Sequence, residues 1–153
     1  MRTQRYDGTD MRKILTGMVH DKAVCARIAS IWPDAGEGLF ASSWANLIGG
    51  EIIRYFRKYA VPPARQMGSI YEEWSKTTIA PDEEIECVER FLQGVSDEQH
   101  QDAPEYLIDL AGRHFNKVAM DRVVEAVKAD LAEWHVEDAQ MRLDQLRRIN
   151  LGA

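Results

Sequence analysis

The chain has 153 residues, 19 Lys or Arg against 25 Asp or Glu, and a formal net charge of −6. A chain of this length suits one compact domain that buries its own core without disulfide or metal staples. The acidic balance argues against wholesale nucleic-acid binding, which ordinarily shows as a basic excess. No apolar run approaches the roughly 20 residues that a membrane span needs. Residues 1–10 are polar, carry no apolar stretch of the secretory kind, and are expected to form a flexible N-terminus. A soluble, cytoplasmic chain is the expectation. Cys25 and Cys87 lie far apart in helical patterns and read as two buried thiols of a reducing compartment.

The charge is unevenly spread. Residues 82–109 hold ten acids and one base, Arg90, whereas residues 1–32 hold six bases and three acids. A solvated surface of mixed sign accounts for this as well as a local basic face does.

No run alternates with period 2, and helical spacing recurs throughout, so the expected class is all-α. A first helix is predicted after Thr9 or Asp10, with Met11, Ile14, Leu15, Met18, Cys25, Ile28 and Trp32 on one face. Pro33, Gly36 and Gly38 end it. Gly17 inside it costs about 1 kcal/mol against alanine, which a close helix contact would explain. A second helix starts at Ser42 or Ser43, and its apolar face runs from Trp44 to Tyr59. Val61, Pro62 and Pro63 stop it, because proline lacks the backbone donor and disfavours helix just before itself. A third helix spans about residues 64–77. A fourth starts at Pro81, where Asp82, Glu83 and Glu84 complement the helix dipole, and ends at Gly94. Residues 96–103 read as a polar, mobile loop.

The last third is the most regular. After Pro104, the residues Tyr106, Leu107, Leu110 and Phe115 share a face. Met120, Val124, Val127, Leu131 and Trp134 then recur at steps of four, three, four and three. Val136, Ala139, Leu143, Leu146 and Ile149 follow at steps of three, four, three and three. Two such runs with almost no residues between them predict an antiparallel helical hairpin. The whole is therefore a compact helical bundle over residues 11–115, followed by a C-terminal antiparallel hairpin over 116–150. A hairpin cannot bury both sides of its seam in itself. The seam either completes the domain's own core or meets another chain, and spacing leaves both open.

Chemistry is missing from the pattern. Gly49-Gly50 is followed by Glu51, and no phosphate-binding loop with its lysine occurs. His20, His100, His114 and His135 are scattered without metal-ligand spacing, so no metal or cofactor is expected. Ser42 and Ser43 lack a nucleophile elbow and read as caps. No catalytic residue is assigned, since with 25 acids some carboxylate pair always lies close. Trp44, Tyr55, Phe56 and Tyr59, interleaved with Arg54, Arg57 and Lys58, read as a core face with a basic rim rather than a base-stacking strip.

Taken in order, these features resemble the N-terminal domain of DnaB-type replicative helicases, especially diverged phage members. Residues 14–19, Ile-Leu-Thr-Gly-Met-Val, are similar to that family's first-helix Leu-x-Gly-x-Leu-Leu stretch. Leu39-Phe40 ahead of the second helix, and Pro62-Pro63 after it, fall where the family has a Phe and a proline turn. Residues 105–111, Glu-Tyr-Leu-Ile-Asp-Leu-Ala, are similar to its Tyr-Leu-x-x-Leu-Ala. The resemblance covers about residues 11–149, with residues 151–153 standing where the family's linker begins. The segment 96–103 departs from the pattern, and no ATPase domain is present in this chain.

The resemblance implies a non-catalytic assembly and docking domain of a hexameric DNA helicase. Its hairpins would pair between subunits in a collar, contact primase and helicase loaders, and meet DNA only through the parent ring. The residues it carries over as interface are Met120, Val124, Val127, Leu131, Trp134, Ala139, Leu143 and Leu146. The alternative with the same sequence features is a stand-alone replication accessory protein, such as a helicase loader or inhibitor.

Overall fold

A computed structural model describes residues 8–97 and 102–151, and all regular structure among them is helical. The elements are α1 (Thr9–His20), α2 (Lys22–Ala29), α3 (Ser43–Tyr59), α4 (Met67–Thr77), α5 (Asp82–Asp97), α6 (Pro104–Ala132) and α7 (Val136–Gln145), with one 3₁₀ turn at Ala64–Gln66. The all-α class read from periodicity is the observed class.

The single first helix expected from residue 11 to 32 is two helices. Asp21 is extended at φ −110° and ψ 121°, and its Oδ1 accepts from the backbone N–H groups of Ala23 and Val24. An aspartate that satisfies two orphan donors starts a new helix as readily as it continues an old one. α3 begins at Ser43 as expected, although the Ser42 side chain makes no cap bond. It ends before the prolines, at Ala60 with φ 61°. α5 runs past Gly94 to Asp97, so that glycine does not close it. A lone glycine only lowers helix propensity, and packing overrides it. Part of the expected mobile loop is therefore helical, and residues 98–101 lie outside the described residues. So do residues 1–7 of the expected flexible N-terminus, while Thr9 and Asp10 belong to α1.

The core gathers around Phe40, which is fully buried. Its ring meets Phe115 edge-on at 5.2 Å between centroids and tilts against Trp32 at 5.9 Å and His114 at 5.7 Å. α6 packs on α1 and α2, and α3 packs on α1, α2, α4 and α5. Asn46 on α3 holds the segment before its own helix: Oδ1 accepts the Phe40 N–H at 2.8 Å and Nδ2 donates to the Phe40 carbonyl at 3.0 Å. Arg122 of α6 donates to the carbonyls of Gly38 (2.7 Å) and Phe40 (3.2 Å), tying the same segment to the long helix. Cys25 is buried, which pushes its thiol up to about 12, whereas Cys87 is only half-buried.

α6 crosses from the body into the hairpin without a break, so the expected boundary at residue 115 falls inside one 29-residue helix. After α7 the chain does not stay helical through Leu146 and Ile149 as their spacing suggested. Leu146 is extended, at φ −66° and ψ 126°, and residues 146–151 return along α6 to the body. Asn116 clamps this return segment, accepting the Ile149 N–H at 2.7 Å and donating to the Ile149 carbonyl at 2.9 Å. Leu151 is buried, and Arg27 of α2 donates to its carbonyl at 2.5 Å. The position read as the start of a linker thus sits in the core.

Candidate docking surface

The hairpin arms are the second half of α6 and all of α7, which lie against one another. Ala139 is 3% exposed between them. Asp130 of α6 is bridged to Arg142 of α7, with 2.6 Å between Oδ2 and Nε. Lys117–Asp121 and Lys128–Glu125 stabilise the long arm as helical ion pairs.

The turn between the arms is built by backbone bonds. The His135 N–H reaches the Asp130 carbonyl at 2.8 Å, and the Trp134 N–H reaches the Leu131 carbonyl at 3.1 Å. This is a Schellman arrangement, in which the residue after the helix cap takes a left-handed backbone and is usually glycine. Here it is Trp134, at φ 61°. A bulky side chain in this region costs roughly 1–2 kcal/mol. The same side chain is 87% exposed, so it offsets none of that cost by burial.

Eight interface residues were read from the spacing and the resemblance, and the structure sorts them into two sets. Ala139 is spent inside the hairpin and offers nothing to a partner. Met120, Val124, Leu131, Trp134 and Leu143 are exposed, while Val127 and Leu146 are half-covered. The seam is therefore not used up by the domain's own core. Val136 and Met141 are exposed as well and were not assigned. Of the eleven large hydrophobic side chains exposed among the described residues, seven lie between residues 120 and 143. Scattered single exposures need no explanation, whereas here they are concentrated on one element, which makes the hairpin the candidate docking surface.

At the base of the hairpin, between α6 and the return segment, runs a groove of about 1030 Å³. Its apolar lining includes Ile108, Met120, Leu146 and Ile149, and four bases line it with two acids, Asp109 and Asp121. Lys117 is paired with Asp121, and the Arg147 guanidinium donates to the carbonyls of Asp144 and Leu146. Arg113 and Arg148, on opposite walls, are exposed and reach no carboxylate among the described residues. Sequence reading missed this groove because Leu146 and Ile149 were placed on a helix.

The tyrosines of the aromatic and basic stretch on α3 divide from its other rings. Trp44 and Phe56 pack on the core, whereas Tyr55 and Tyr59 tilt against one another, 4.6 Å between ring centroids, near the surface. Among the described residues no group of His, Cys, Asp or Glu is arranged to hold a metal ion. Among the described residues no helix is long and apolar enough to cross a membrane. No known family model matches this chain, and no curated protein or solved structure matches it either.

Proposed function

We propose that this chain is the assembly and partner-docking domain of a hexameric replicative DNA helicase, non-catalytic in itself. Its partners on this reading are further copies of the same chain, through the hairpin, and a primase or helicase loader. The observation that supports it is the hairpin, which extends from a closed core and carries Met120, Val124, Leu131 and Trp134 uncovered. The ordered resemblance over residues 11–149 supplies the identity of the assembly. A stand-alone loader or inhibitor uses the same surface and differs in what it docks onto.

The test is the absolute mass in solution by light scattering across a range of concentrations, for the wild type and for Trp134→Asp. The expected result is a wild type of two or more chains and a variant of lower mass with unchanged helical circular dichroism. Primase or loader fragments should co-elute with the wild type. A wild type that stays monomeric at every concentration and retains neither fragment would overturn the proposal.

A further inference from the structure

The groove at the hairpin base and the turn at the hairpin tip are complementary, and both are on every copy of the chain. The tip presents one large exposed ring, Trp134, flanked by Glu133, Glu137 and Asp138, which are exposed and in no ion pair among the described residues. The groove presents an apolar floor between two guanidiniums, Arg113 and Arg148, that reach no carboxylate among the described residues. The geometry points to a mutual exchange: the Trp134 tip of one chain seats in the groove between α6 and residues 146–151 of a second copy, and the reverse. This rests on the reading of the hairpin as a pairing surface, and adds where its tip goes.

The spacing along α6 supports the exchange. Arg113 and Trp134 stand 21 positions apart on or just beyond one helix, about 31 Å at 1.5 Å per residue. An antiparallel copy that brings Trp134 opposite Arg113 has its two-fold axis between Val123 and Val124. Met120 of each chain then faces Val127 of the other, and Leu131 faces Asn116. Met120 and Val127 thus exchange across the axis, as an isologous contact requires, while Leu131 meets Asn116 on the lining of the partner's groove. The acidic tip enters a basic-walled groove, so the charges favour this register over a parallel one. The left-handed Trp134 also finds a use here, since the strained turn aims a rigid aromatic anchor at a pocket.

The experiment uses two variants of the full chain, Trp134→Ala at the tip and Arg113→Glu/Arg148→Glu in the groove. All three positions are exposed, and circular dichroism checks the fold. Should the double reversal fail to fold, Arg113→Gln/Arg148→Gln replaces it. Sedimentation equilibrium should show a wild-type dimer and at least a tenfold weaker dimer for each variant. Native mass spectrometry of an equimolar mixture should then show the heterodimer well above the half share that random pairing alone gives, because it keeps one intact tip in one intact groove where neither homodimer keeps any. A wild-type dimer that the groove variant leaves unchanged, or a mixture without heterodimer excess, overturns the exchange and leaves hairpin pairing standing. A strictly monomeric wild type overturns both.

Discussion

Asn116 closes on Ile149 the same two-bond clamp that Asn46 closes on Phe40: in each, one side-chain amide satisfies both backbone polar groups of a single residue. The clamp substitutes for a strand partner where the chain is extended and no sheet is available. Neither asparagine stands out in the sequence.

Asn116→Leu should therefore free the return segment. It leaves a backbone donor and a backbone acceptor without their partner, at a cost of about 1–3 kcal/mol. The urea midpoint should fall, and the Ile149 amide should exchange faster than in the wild type. An unchanged Ile149 exchange rate would mean that Leu151 and Arg27 hold the segment alone.

Gly38 shows how tightly the segment ahead of α3 is laid down. A Cβ there would lie 2.6 Å from Cζ2 of Trp32 and against the Asn46 amide that clamps Phe40. Gly38→Ala should destabilise by about 1–3 kcal/mol through this overpacking, read from urea unfolding. Gly50→Ala, which meets nothing within 4 Å, is the matched control.

His114 makes stability pH-dependent. Burial holds its pKa below the ordinary 6.5; Asp10 opposes that shift and Lys117 adds to it. Nε2 accepts the Ala41 N–H at 3.3 Å, which the neutral ring alone can do. The unfolded chain takes up a proton near pH 6.5 before the folded chain does. The contribution is thus complete above that pH and lost as pH falls below it. Urea midpoints should drop between pH 7 and pH 5, and drop less in His114→Asn.

Trp134→Gly should move stability and association in opposite directions. Glycine adopts the left-handed turn without strain, and its greater loss of backbone freedom on folding offsets part of the relief, so the isolated monomer should gain up to about 1 kcal/mol. The same change removes the exposed anchor, so self-association should weaken. Melting temperature at high dilution and mass at high concentration read the two effects separately. A variant that loses stability would show that the ring packs on its own chain.

Periodicity made most of the helices legible, because each carries an apolar face at helical steps. It gave the same signal for residues 120–134, where the face is uncovered, as for residues 107–115, where it is buried. Spacing records a stripe, and only the rest of the fold decides what lies over it. The break at Asp21 was hidden because a capping aspartate and a solvent-facing one look alike. The return segment was hidden because Leu146 and Ile149 continue a three-residue step that a polyproline-like extended segment, at three residues per turn, also makes. Trp134 was found as a candidate from the end of its run, but its left-handed backbone had no signal in the sequence.

α6 has no hinge between body and hairpin: its 29 residues form one rod, about 43 Å long. Arg122 and Asn116 brace it on two sides. Whatever grips the outer half of that rod also fixes the heading of the core at its root. The separation between bodies in any assembly is then a ruler length written into the number of residues in one helix. Inserting or deleting a single residue between 116 and 132 would rotate one end against the other by about 100°.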